Sequence, residues 1–211
     1  MIRLWCFDLN GTLVDSCADL TAAVNHMRAG LALPPLPEAT VMPMLGNGMR
    51  RLTERALPDA PAGTDIDAAL DCLREYYMNH SADRSRPYLG VKATLAKLRA
   101  SGARLAVVTN KVAAAAQGVL DGLDLSAMFD RVIGDGEGYR LKPEPDMLLA
   151  LLKEFGVPPE AAAMVGDNDT DLAAGRAAGM MRIYADYGYG GPHGETYDRV
   201  IHTFVELEHI L

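Results

Sequence analysis

Asp8 closes the apolar run RLWCFDL and is followed directly by Leu9, Asn10, Gly11 and Thr12. Three more polar groups stand beside other apolar runs. Thr109 and Asn110 follow ARLAVV, Lys142 precedes the turn PEPD, and Gly166 to Asp171 (GDNDTD) follow AAMV. Gathered in one place, the carboxylates of Asp8, Asp167 and Asp171 would repel one another strongly unless a cation sat between them. Mg²⁺ suits that set, because it takes a few carboxylates and keeps waters that a phosphate can replace. Lys142 supplies a point charge for phosphate, Thr109 a hydroxyl, and Gly11 lets backbone N–H groups approach an anion.

These residues meet only if the chain between them folds to one edge. RLWCFDL reads as a strand buried on both faces of a parallel sheet, and similar runs recur at Ala103 to Asn110, Asp130 to Gly134, Ala161 to Asp167 and Met180 to Ala185. Helical patterns lie between them. The clearest predicts a helix from Glu144 to Phe155, with Pro145 in its first turn, Leu148, Leu149, Leu152 and Phe155 as its stripe, and Gly156 as its stop. Alternating strand and helix predicts an α/β fold with a doubly wound parallel sheet, in which ligands gather beyond the carboxyl ends of the strands.

One connection is far longer than the dozen or so residues a crossover needs. Ser16 to Pro87 holds two helical stripes, Leu20, Val24, Met27 and Leu31, then Ile66, Leu70, Leu73 and Tyr77, with Pro34, Pro35, Pro37 and Pro43 as punctuation. The expected organisation is a core of residues 1–15 and 88–211 with a helical cap of residues 16–87 inserted. Between Asn110 and Lys142 there is room only for one helix and one strand.

With 211 residues and 49% hydrophobic content, the chain fits one globular unit or a core with a modest insertion. A net charge of −8 without a basic stripe argues against nucleic acid and anionic membrane as partners. Three cysteines, Cys6, Cys17 and Cys72, are far apart and lack metal spacing, and read as reduced thiols of a cytoplasmic protein. The start is too short in apolar residues for a signal peptide or a spanning helix, and no later stretch qualifies. A monomer and a homodimer both remain open.

The ordered set DxxGT, TN, the lysine of LKPEPD and GDNDTD resembles the four signature motifs of the haloacid dehalogenase superfamily, over most of the chain. The insertion after the first motif resembles that superfamily's helical-cap class. TLVDS, GNGMRRLTERAL, AVVTNK, KPEPDMLL, MVGDNDTDLAAGRAAGM and YGYG resemble its bacterial phosphoglycolate phosphatase branch. The resemblance implies that Asp8 attacks phosphorus to form an aspartyl-phosphate, splitting hydrolysis into two displacements. It implies Mg²⁺ held by Asp8, the backbone carbonyl of Asn10 and Asp167, with Asp171 in support. Thr109 and Lys142 would hold phosphate oxygens, while Gly11, Asn110 and the cap's Arg50 are candidates for substrate binding. The implied substrate is a small anionic phosphate ester, 2-phosphoglycolate first, and the cap would close over it.

Asn10 departs from the pattern, because the family's phosphatases carry an aspartate two residues after the nucleophile, which serves as general acid and base. An amide does neither, which implies an impaired phosphatase. Three explanations follow: an engineered replacement, favoured by the intact remainder of the site; a natural binder of phosphorylated metabolites without turnover; or a partly deamidated Asn10–Gly11 pair with weak activity. A phosphomutase is a further reading, disfavoured by the cap residues. Taken singly, Asp8 and Asn10 are ordinary turn formers, the acidic run an ordinary helix start, and Lys142, Arg50 and Arg51 ordinary solvated side chains. The four motifs in order favour a site. The five histidines show no metal spacing, and DYGYGG reads as a loop near the site or a surface turn.

Overall fold

The computed structural model describes residues 1–210. Six strands form one sheet in the order β5-β4-β1-β6-β7-β8, every pair parallel. They are β1 (Leu4–Phe7), β4 (Arg104–Val112), β5 (Arg131–Asp135), β6 (Ala162–Gly166), β7 (Met181–Ala185) and β8 (Arg199–Ile201). The chain leaves β1 for β4 and β5 on one side, then returns to β6 on the other. The order therefore reverses around β1, and a crevice opens at the carboxyl ends of β1 and its neighbours.

Alternation along each strand divides the core. Trp5, Phe7, Leu105, Val107, Ala163 and Val165 face one layer, with α5 (Val91–Ala100), α6 (Ala113–Gly122) and the 3₁₀ turn Phe204–His209 packed on them. Leu4, Cys6, Ala106, Val108, Ala162 and Met164 face the other, covered by α7 (Asp146–Phe155) and α8 (Asp169–Ala177). Covered on both sides, β1 is buried throughout.

The face of α7 differs from the stripe the sequence suggests. Pro145 is the residue before the helix, and Met147, Leu148, Leu151 and Leu152 meet the sheet, while Leu149 is 46% exposed and Phe155 half-buried. Several apolar residues in a row leave the buried face open to more than one reading, and contact with β1 and β4 decides it. Strand β8 escapes a periodicity argument because only three of its residues pair.

Between the ribbon strands β2 (Val14–Asp15) and β3 (Arg86–Pro87), which pair antiparallel, lie α1 (Cys17–Gly30), α2 (Glu38–Val41), α3 (Gly48–Arg55) and α4 (Ile66–Asn79). These helices enclose a core of their own, including Leu20, Val24, Met27, Leu52, Leu73 and Tyr77. Arg28 is buried beneath them, donating to both oxygens of Asp59 and to the carbonyls of Pro34 and Ala56. Asp19, also buried, accepts from the backbone N–H groups of Arg84 and Ser85 and from the Ser85 hydroxyl, tying α1 to the return crossing.

Candidate active site

Asp8 follows β1 directly, and its N–H donates to the carbonyl of Val165 on β6 at 2.9 Å. Asp167 follows β6, and Asp171 lies in the first turn of α8. Ligand oxygens of these three carboxylates all lie within 4.8 Å of one another, the one such acidic or metal-ligating cluster among the described residues. Asp167 and Asp171 are sealed at 3% and 1% exposure, whereas the Asp8 side chain keeps 13% of its surface. Access thus remains at the carboxylate from which a nucleophile is expected.

Lys142 reaches into the cluster from the segment before α7. Its ammonium donates to Asp8 Oδ1 at 2.7 Å and to the carbonyl of Val108 at 2.6 Å, and pairs with Asp171 Oδ1 at 2.7 Å without forming a directed hydrogen bond there. Burial would lower its pKa, but the Asp171 and Asp8 carboxylates outweigh burial and hold it above the ordinary lysine range. Burial raises Asp167, and the nearby charge of Asp8 adds to the shift while the N–H groups of Gly190 and Tyr189 oppose it. Burial likewise raises Asp171, opposed by Lys142 and reinforced by Asp8 and Asp167.

Local backbone explains why glycine stands where it does. Gly11 has φ +86°, and a Cβ there would overlap the Asp167 carboxylate. The segment Asp186 to Gly191 passes as a strap over the same aspartate. Tyr189 N–H and Gly190 N–H both donate to Asp167 Oδ2, at 2.8 and 3.0 Å. The strap is fixed elsewhere by the Tyr187 hydroxyl, which donates to the Thr12 carbonyl, and by the Tyr189 hydroxyl, which donates to Asp15 and accepts from Ser16 N–H and Cys17 N–H. A Cβ at Gly188 would overlap Asp167 Cβ and come within 2.5 Å of the Gly11 carbonyl. Gly188→Ala is therefore expected to destabilise the protein by ~1–3 kcal/mol in urea unfolding, since neither neighbour is a flexible side-chain end. An unchanged midpoint would show that the strap is not fixed against Asp167.

Above the acidic cluster lies a cavity of about 50 Å³, lined by Asp8, Asn10, Thr109, Asn110 and Lys111 from the core and by Leu20, Leu45, Gly46, Gly48, Met49 and Leu52 from the helical insertion. Asn10 Oδ1 accepts from Lys111 Nζ at 3.0 Å, and the same ammonium donates to the Tyr77 hydroxyl at 2.7 Å. Burial pushes Lys111 down to about 7, against the opposing charges of Asp8 and Asp19. Thr109, buried on β4, accepts from Lys111 N–H through its hydroxyl.

Two sequence expectations change here. Asn110 lines the cavity, but its side-chain amide is engaged with Lys142: Nδ2 donates to the Lys142 carbonyl and Oδ1 accepts the Lys142 N–H, both at 2.9 Å. It positions the lysine. Arg50 is absent from the cavity wall; its side chain is 54% exposed and pairs with Asp67 on α4. In GNGMRR the glycines face the core instead. Gly46 and Gly48 have φ +98° and +82°, and a Cβ on Gly46 would overlap the Asn168 amide. Sequence reasoning missed Lys111, although its place two residues beyond Thr109 on a strand was a readable signal. Tyr77 gave none, since its letter served equally as a core residue of α4.

The chain is similar to known proteins over most of its length. The chain is 36% identical to the phosphoglycolate phosphatase of Caulobacter vibrioides over 206 residues, 95% of this chain and 87% of the relative. It is 39% identical to phosphoglycolate phosphatase 1 of Pseudomonas aeruginosa over 197 residues, 91% of this chain and 71% of the relative. A crystal structure of a predicted phosphoglycolate phosphatase from Haemophilus somnus superposes with a TM-score of 0.93 at 30% identity, covering 99% of this chain and 97% of the other. Residues 5–185 match the profile of the haloacid dehalogenase-like hydrolases, and the chain belongs to that family.

Proposed function

We propose that the protein is a Mg²⁺-dependent phosphatase of small phosphate monoesters, 2-phosphoglycolate first, weakened by Asn10. The observation that carries this reading is Asp8, paired with Lys142, partly open to the cavity and flanked by two sealed carboxylates. The relatives named phosphoglycolate phosphatase support the choice of ester. In this reading Asp8 forms the bond to phosphorus as the alcohol oxygen leaves, and water then displaces the phosphoryl group from Asp8. Lys142 neutralises Asp8 and Asp171, and Thr109 offers a hydroxyl to the phosphate oxygens. Asn10 supplies neither the proton the leaving alkoxide needs nor the base that activates water.

The donor set fits Mg²⁺. Hard carboxylate oxygens of Asp8, Asp167 and Asp171 converge within 4.8 Å of one another, the donor type that Mg²⁺ takes. Asp8, Asp167 and the Asn10 carbonyl would hold the ion, supported by Asp171, and it would neutralise charge on the phosphate. Measuring phosphate released from 2-phosphoglycolate with Mg²⁺ and with chelator tests the reading. Slow release that chelator abolishes is expected, and release indifferent to chelator would overturn the metal dependence.

A second reading, a binder of phosphorylated metabolites without turnover, is favoured by Asn10 alone. An aspartate-to-asparagine variant of CbbY from Rhodobacter sphaeroides, 25% identical with a TM-score of 0.79, was crystallised with xylulose-1,5-bisphosphate. An amide in this family is thus compatible with a bound phosphate ester.

The raised pKa values of Asp167 and Asp171 set a pH dependence. A folded-state pKa above the ordinary 3.8 means that the folded chain binds protons more tightly than the unfolded one. The resulting stability is present below the ordinary carboxylate range and is lost as pH rises through the raised values. Metal-free protein should therefore lose thermal stability between about pH 5 and pH 8 from these groups. Mg²⁺, which binds the deprotonated forms, should raise Tm more at the upper pH than at the lower. Equal Mg²⁺ shifts at both would place the ion elsewhere.

A further inference from the structure

We propose that Lys111 selects the ester by receiving a carboxylate on its alcohol portion, so that the preferred substrates are short phosphorylated hydroxy acids. The inference rests on the phosphatase reading and extends it to the non-phosphate end of the ligand.

The two buried lysines of the site differ in what surrounds their ammonium groups. An ammonium has three N–H donors. Lys142 faces three acceptors, the Asp8 and Asp171 carboxylates and the Val108 carbonyl. Lys111 donates to two neutral groups, Asn10 Oδ1 and the Tyr77 hydroxyl, and keeps one donor in hand. Only 6% of Lys111 is exposed, so water has little access to that donor, yet the residue lines the cavity. A buried ammonium whose direct hydrogen-bond partners are both neutral, with the charges of Asp8 and Asp19 near but not bonded to it, gains from an anion placed against its remaining donor.

No other side-chain cation lines this cavity among the described residues. On α3 the three arginines are turned to other work: Arg50 pairs with Asp67, Arg51 with Glu54, and Arg55 donates to the Met44 carbonyl. Leu45, Met49 and Leu52 supply apolar wall. Asp8 and Lys111 border the same cavity, so a short ligand with phosphate at Asp8 presents its other end to the lysine.

The test is titration calorimetry of the Asn10 protein with Mg²⁺, using 2-phosphoglycolate and ethyl phosphate, which has the same carbon count and no carboxylate. The parent should bind the acid about 10- to 100-fold more tightly, as expected for a hydrogen bond to a charged group. Lys111→Met should remove that ratio while leaving ethyl phosphate affinity within about threefold, and Lys111→Arg should restore part of it. Circular dichroism on each variant confirms the fold, and Lys111→Gln replaces Lys111→Met if the latter does not fold. Equal binding of the two esters by the parent would overturn the proposal and leave the phosphatase reading standing. A ratio that survives in the variants, or equal weakening of both esters, would also overturn it. If the parent binds neither ester, the proposal falls together with the phosphatase reading.

Discussion

Asn10→Asp is expected to raise the rate of phosphate release from 2-phosphoglycolate by about 10²–10⁴-fold, the usual contribution of a positioned general acid and base. The substitution keeps shape and changes charge. Asn10 Oδ1 already accepts a hydrogen bond from Lys111, and a carboxylate oxygen in its place accepts the same bond with a charge added. Backbone geometry after β1 need not move, because the turn depends on Gly11. The gain should therefore appear in kcat, with the melting temperature little changed. Both proteins must be fresh and checked by intact mass, since an Asn–Gly pair deamidates and would lend the parent some of the variant's activity. Equal rates in the two forms would mean that position 10 takes no part in proton transfer. No release from either would favour the silent binder.

Lys142→Met carries the second large effect. The side chain is buried to 4% exposure between Asp8 and Asp171, and its removal leaves three crowded carboxylates with no cation of the chain between them. Breaking a buried ion pair by deleting one partner typically costs about 3–5 kcal/mol. A loss of that order is expected in urea unfolding of the metal-free protein near neutral pH. The loss should shrink at lower pH, where Asp167 and Asp171 take up protons, and shrink again with Mg²⁺, which replaces part of the missing charge. Phosphate release should fall below detection even with Mg²⁺. A variant as stable as the parent at neutral pH would show that the carboxylates are already neutral in the folded chain.

Much of this was legible in the sequence because strong local signals coincided. The runs around Leu4–Phe7, Arg104–Val112, Arg131–Asp135, Ala162–Gly166 and Met181–Ala185 announce buried strands, and Asp8, Thr109 and Asp167 stand where such strands end. The long interval with helical stripes announced the inserted helices. The rest depended on contacts between distant segments. Val14–Asp15 and Arg86–Pro87 are too short to show a period and become strands only by pairing with each other. Arg50 was a candidate because a cap loop facing the site could offer an arginine to the substrate, and nothing local reveals that Asp67 stands opposite it. Asn110 could be placed near the site, but its two hydrogen bonds to the Lys142 backbone need the fold. DYGYGG displayed its glycines without displaying what they face: a Cβ at Gly188 would overlap Asp167, and one at Gly190 would overlap the Asn168 amide and the Asp167 carbonyl.

The order of synthesis gives the central pairing of β1 with β6 another meaning. Asp8 emerges from the ribosome early, yet its Lys142 partner lies 134 residues further on, and Thr12 and Asp167 are 155 residues apart. Contacts of such sequence separation are slow to form, because a long loop must close before they stabilise anything. The helical insertion, whose core is drawn from Cys17 to Tyr77, can collapse on local contacts while β1 still lacks its neighbour on one side. A nascent chain halted before Ala162 therefore carries an exposed edge of β1 and no acidic centre.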